Sequence, residues 1–148
     1  MFSYDWGDKY KALRQVTGTT YPGYLTHEAV VFHQLYDRWI FLPRKLSTDG
    51  PYDDVTDEKN GCNLMLIATR DFKRIEVRTV GPLEPEWGFS AVRIVPDHPN
   101  LLMAVKTREV GSEVQSKITV FNMDGSIVLR PEWAMLPPGE KYEGLEFL

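Results

Sequence analysis

The sequence predicts an all-β fold made of repeated four-stranded antiparallel units, and three observations predict it. Short stretches that alternate apolar and polar residues, rich in β-branched and aromatic side chains, run through most of the chain. Gly, Pro, Asp or Asn, the residues that turn a backbone, bound each stretch. The stretches also fall into two sets of four, at 24–80 and 88–133, with the start of a third set at 141–148.

The leading segment, 1–23, holds the one good helical pattern, DKYKALRQVTG at 8–18. Tyr10, Leu13 and Val16 fall near one face there, and Gly18 is a stop signal. The first set then reads YLTHEAVVF (24–32), DRWIFLPR (37–44), NLMLIATRD (63–71) and RIEVRTV (74–80). Between its second and third members lies KLSTDGPYDDVTDEKNG, 45–61, acidic and rich in turn residues. The spacing of Asp49, Asp53, Asp54, Asp57 and Glu58 does not match a calcium-binding loop, so this segment reads as a solvated excursion between strands. The second set reads GFSAVRIV (88–95), LLMAVKTREV (101–110), QSKITVFNM (115–123) and SIVLRPEW (126–133). MDGS at 123–126 carries the Asp-Gly pair of a tight hairpin turn.

The three sets open on PGYLTHEAV, WGFSAVRIV and KYEGLEFL. Aligned, they bring Glu28, Ser90 and Glu143 to comparable places, 62 and 53 residues apart. Four antiparallel strands in a repeat of about that length describe a β-propeller blade, and the long excursion accounts for the unequal periods. A propeller has about four to eight blades. Residues 1–148 therefore read as one C-terminal propeller part of about two and a half blades, within something roughly twice as long. One blade is 24–80, a second is 88–133, and 141–148 is the first strand of a closing blade.

Composition excludes several classes. Apolar residues make up 43% of the 148 and charged residues 26%, ordinary values for a globular chain. A net charge of −4 and a pI near 5.4 argue against a broad nucleic-acid footprint but leave room for a small anion on a local arginine. Cys62 is the single cysteine, so no intrachain disulfide or cysteine-rich zinc site can form. No apolar run approaches the length of a membrane span, and MFSYDWGDKYK lacks the order of a signal peptide. GFSAV is not a serine-nucleophile elbow, and no phosphate-binding P-loop motif occurs.

First strands of propeller blades line the central channel. Glu28, Ser90 and Glu143 would then point oxygens towards one axis, the donor type that hard cations such as Ca²⁺ take. Read one at a time, the two acids are ordinary strand residues and the serine a small filler; the alignment is what joins them. Arg44 ends the apolar strand RWIFLPR, where its planar fork suits a phosphate; the plain alternative is an arginine lying over Trp39 or Phe41. His27 alternates to the opposite strand face from Glu28 and is expected to pack behind the channel lining. His33 and His98 fall in turns, and Trp6, Trp39, Trp87 and Trp133 read as packing residues.

These same runs carry a resemblance. PGYLTHEAV, the FLPR strand end, NLMLIATRDF, GFSAVRIVP and the terminal KYEGLEFL resemble the calcium-activated nucleotidases, the soluble apyrase family, from about residue 10 to residue 148. The resemblance implies a five-bladed propeller whose central Ca²⁺ takes one oxygen ligand from each blade, three of them on Glu28, Ser90 and Glu143. It places Arg44 near the nucleotide phosphates. It further implies hydrolysis of nucleoside di- and triphosphates, often UDP and GDP, by a protein secreted or held in the ER or Golgi lumen. The alternative function is a catalytically inactive propeller part that binds a partner or oligomerises through open edges. A homodimer would supply more blades, but doubling two and a half does not meet fivefold pseudo-symmetry.

Overall fold

The computed structural model describes residues 5–148; the first four residues of the leading segment lie outside that range. Asp5 caps the first helix, α1 (Trp6–Thr17), by accepting the Gly7 backbone N–H at 2.8 Å. The helix therefore starts before the predicted Asp8. It ends at Gly18, whose φ of 70° lets its N–H turn back to the last carbonyls. Leu13 is fully buried, as expected, but Val16 stands exposed on the other side.

Eight strands follow: β1 (Tyr24–His33), β2 (Arg38–Ser47), β3 (Leu64–Thr69), β4 (Ile75–Thr79), β5 (Trp87–Ile94), β6 (Leu101–Val110), β7 (Glu113–Asn122) and β8 (Ala134–Met135). They form two antiparallel sheets of four, ordered β1-β2-β3-β4 and β5-β6-β7-β8. The excursion after β2 carries a single helical turn, α2 (Asp54–Asp57), capped by Asp53. The turn at 123–126 forms as predicted, with Asn122 N–H donating to the Ser126 carbonyl at 2.9 Å. Among the described residues no helix is long and apolar enough to cross a membrane.

One strand lies elsewhere than predicted. The run at 126–129 meets β7 through an Ile127–Phe121 bridge and a few hydrogen bonds, among them the Val128 and Leu129 N–H groups on the Val120 carbonyl, but builds no ladder. Pro131 then removes a ladder donor. The ladder resumes at β8, opposite Lys117 and Ile118, so the fourth strand is 134–135 rather than 126–133. Residues 141–148 form no strand; Tyr142 ties the segment to the second sheet through Ser90 of β5 and Ser116 of β7.

The central strands alternate sharply. Ile40 and Leu42 of β2, and Met65 and Ile67 of β3, face the second sheet and join Phe89, Val92, Leu102, Ala104 and Phe121 in the larger core. Phe41, Leu66 and Ala68 face the other way and pack with Leu13 and Phe72, with Trp6, Tyr10 and Trp39 at the margin. The layers are thus helix, sheet, sheet. Burying each Val, Leu, Ile, Met or Phe among them stabilises by about 1.5 to 3 kcal/mol before chain entropy is counted. His33 pins the outer rims of the two sheets together. Its Nε2–H donates to the Pro99 carbonyl at 2.7 Å and its Nδ1 accepts the Tyr36 N–H, a partnership its place at a turn did not reveal.

Candidate functional site

Three of the four predicted site residues sit where the sheet ladders break. In β1, His27 pairs with Pro43 and Ala29 with Leu42, leaving Glu28 as the extra residue. In β2, Thr26 pairs with Lys45 and His27 with Pro43, leaving Arg44 extra. In β5, Phe89 pairs with Lys106 and Ala91 with Val105, leaving Ser90 extra. A bulge leaves its residue unpaired and re-aims the side chain, a device common beside active sites. The Glu28 and Ser90 bulges fall at matching points of the two sheets, on the two residues that the repeat alignment set side by side.

Arg44 does not lie over Trp39 or Phe41. It is 7% exposed and spans the gap between the sheets. One Nη1 N–H donates to Glu28 Oε2 at 3.2 Å and another to Thr107 Oγ1 at 2.5 Å, while Nη2 donates to Glu109 Oε2 at 3.2 Å. Gly88 makes this approach feasible: a Cβ there would lie 2.5 Å from the Arg44 carbonyl oxygen. Charges alternate onward. Lys141 Nζ reaches Glu109 at 3.2 Å and Glu143 at 2.6 Å. The hydrogen bond from Lys141, with Arg44 adding, holds the Glu143 carboxyl below the ordinary carboxylate value. Ser90, buried, donates its hydroxyl to the Tyr142 carbonyl at 2.8 Å, next to Glu143 in the chain.

Glu28, Arg44, Ser90 and Glu143 are therefore gathered in one region. Thr107, Glu109 and Lys141 belong with them, and no sequence signal marked these three. They lie on β6 and in the C-terminal segment, and only the packing of one sheet on the other brings them to Arg44. His27 packs behind, its ring stacked on Tyr10 and edge-on to Phe41. Burial pushes its pKa down to about 4, so it stays neutral through the physiological range.

Every acceptor here is an oxygen, which suits a hard divalent cation in kind. The number falls short. Ca²⁺ takes about six to eight oxygens, and among the described residues no group of three or more His, Cys, Asp or Glu is placed to hold a metal. The carboxylates instead face Arg44 and Lys141. Alongside lies a polar cavity of about 260 Å³, bounded by Arg44, Lys45, Glu109 and the excursion carrying α2.

Comparison with known proteins agrees with the sequence resemblance. A family model described as Apyrase matches residues 1–148. The soluble calcium-activated nucleotidase 1 of Rattus norvegicus is 38% identical over 145 residues, 97% of this chain and 35% of that protein. Apyrase apy-1 of Caenorhabditis elegans is 36% identical over 146 residues, 97% of this chain and 40% of that protein. An apyrase of Cimex lectularius is 30% identical over 148 residues, 99% of this chain and again 40% of the relative. The chain thus spans well under half the length of these relatives. With the family model matched from the first residue to the last, the chain belongs to the apyrase family.

Proposed function

We propose that this chain forms part of the active centre of a Ca²⁺-dependent hydrolase of nucleoside di- and triphosphates, UDP and GDP among them. The observation that carries the reading is Arg44: a nearly buried guanidinium, unpaired in the ladder, spread over oxygens of both sheets. Such a fork is preorganised for a phosphate, donates two parallel hydrogen bonds and keeps its charge when desolvated. In a phosphoryl transfer it stabilises charge spreading over the transferred group. Thr107 and Glu109 hold its orientation from the second sheet. The relatives' names, apyrase and calcium-activated nucleotidase, support the reaction class and the metal.

Glu28, Ser90 and Glu143 are the residues that would hold Ca²⁺. When bound, the ion neutralises phosphate charge and polarises the phosphoryl oxygens. Lys141 would leave Glu143 as that carboxylate turned to another cation. On this reading the two sheets would be two blades of a five-bladed propeller, and 141–148, no strand in this chain, would pair as the inner strand of a closing blade. The reading takes the protein to act outside the cell or in the ER or Golgi lumen, as the family resemblance implies.

The test is phosphate release from UDP and GDP by the chain, with CaCl₂ and with chelator, alongside Arg44→Met. Calcium-dependent release that Arg44→Met abolishes supports the reading. Calcium binding without hydrolysis assigns the chain to a non-catalytic module. Release unchanged by Arg44→Met removes the role given to that residue.

A further inference from the structure

We propose that Lys45 is a second phosphate-binding cation beside Arg44, and that the cavity under the β2–β3 excursion takes the polyphosphate end of the nucleotide. This rests on the reading just given. Neighbours in a strand normally point to opposite faces. The bulge at Arg44 breaks that rule, and Arg44 and Lys45 both line the one cavity.

Lys45 is only 6% exposed. Its ammonium carries three N–H donors, yet its one hydrogen bond among the described residues runs to the Glu58 carbonyl at 3.0 Å. A desolvated ammonium is costly unless its donors are met. Burial accordingly holds the Lys45 pKa below the ordinary lysine value.

Four carboxylates line the cavity, Asp54, Asp57, Glu58 and Glu109, and three of them hold partners as follows. Asp57 accepts the Tyr24 hydroxyl at 2.6 Å, Glu58 accepts the Gly111 N–H at 3.1 Å, and Glu109 holds Arg44 and Lys141. These acids outnumber the two cations, so what favours an anion is local: the unmet donors of the Lys45 ammonium, set beside Arg44. Size narrows the ligand further. At about 260 Å³ the cavity is smaller than the roughly 300 Å³ at which pockets begin to enclose whole drug-sized ligands, so it fits phosphates rather than a complete nucleotide.

The experiment is calorimetric titration of UDP, with uridine as the phosphate-free control, into the wild-type chain, Lys45→Gln, Lys45→Arg and Arg44→Met in calcium buffer. Lys45→Gln keeps a donor for the Glu58 carbonyl and removes the charge. It is expected to weaken UDP binding about tenfold or more, the loss of one charge-assisted hydrogen bond, and to leave uridine unaffected. Lys45→Arg keeps the charge and is expected to retain most of the affinity, which separates phosphate contact from lost folding. UDP binding that falls with Arg44→Met but not with Lys45→Gln overturns this inference and leaves the preceding reading intact. A wild-type chain that treats UDP and uridine alike overturns both.

Discussion

Lys106 offers a sharp test of how the second sheet is held. Its side chain is 0% exposed, and its Nζ has no hydrogen-bond partner among the described residues. Burial brings its pKa down from 10.5 to about 8, with Glu84 opposing and Lys117 adding to the fall. Between those values the unfolded chain binds more protons than the folded one, so this group makes stability rise with pH across that window. Below about pH 8 both states carry the charge and the folded state bears the full penalty. The gap between about 8 and 10.5 corresponds to about 3 kcal/mol. The Phe89 and Trp133 rings, 4.6 and 5.3 Å from the ammonium, return part of it. A desolvated cation–π contact is worth up to about 2 kcal/mol. Lys106→Met, of similar length and no charge, is therefore expected to stabilise the fold by about 1 to 3 kcal/mol at pH 7. That advantage shrinks as pH rises towards 10. Urea denaturation of both proteins at several pH values measures it. Cys62, pushed up to about 11, and Tyr24, pushed up to about 12, give slopes of the opposite sign, but these cancel in the difference between the two proteins. A variant less stable than wild type at pH 7, or a difference flat from pH 7.5 to 10, would refute the reasoning.

Two further outcomes are expected. Gly88→Ala places a methyl against the Arg44 backbone, which cannot swing away as a side-chain tip can; a loss of about 1 to 3 kcal/mol in denaturant unfolding is expected, and an unchanged midpoint counts against the close approach. The 141–148 segment should loosen at both pH extremes. Glu143, held below 4.5 by Lys141, contributes above that value and loses its contribution as pH falls through its lowered pKa. Lys141, held above 10.5 by Glu143 and then Glu109, contributes below that value and loses it as pH rises through its raised pKa. Hydrogen exchange of the segment in wild type and Glu143→Gln reads this. Equal protection of both proteins at neutral pH would deny the ion pair a role in docking.

What the sequence disclosed follows from what local pattern can encode. β1, predicted at 24–32, and β6, predicted at 101–110, fall within a residue of their observed limits, because β-branched runs flanked by turn residues leave few alternatives. Pattern failed at 126–133. SIVLRPEW looks like a strand until its proline must donate to a ladder, and pairing passes to two residues with no strand signal of their own. Repetition singled out Glu28, Ser90 and Glu143, and the end of an apolar strand singled out Arg44; the structure brings these four together. Thr107, Glu109 and Lys141 repeat nothing. They matter only because β6 and the C-terminal segment pack beside β2, a fact of tertiary arrangement. Lys45 was hidden for another reason: alternation assigns it the face opposite Arg44, and only a bulge reverses that.

The bulges explain why one strand can serve a core and a site at once. Leu25 and His27 of β1 face α1, whereas Ala29 and Val31 face the second sheet. Under strict alternation residues 25, 27, 29 and 31 would share one face. The extra residue at Glu28 reverses the phase, so the strand packs α1 at one end and the inter-sheet core at the other. β5 does the same around Ser90: Phe89 and Val92, three apart, lie in the same core. Glu28 and Ser90 are thus the points where the strands change sides, and side chains there are released from both cores. Removing Glu28 would take away the β1 bulge while the Arg44 bulge of β2 stayed, and would shift Leu25 and His27 relative to the helix, so the residue's place in the fold and its proposed place in the site rest on one irregularity. Selection acting on the oxygen at this position is therefore constrained by the packing on either side of it.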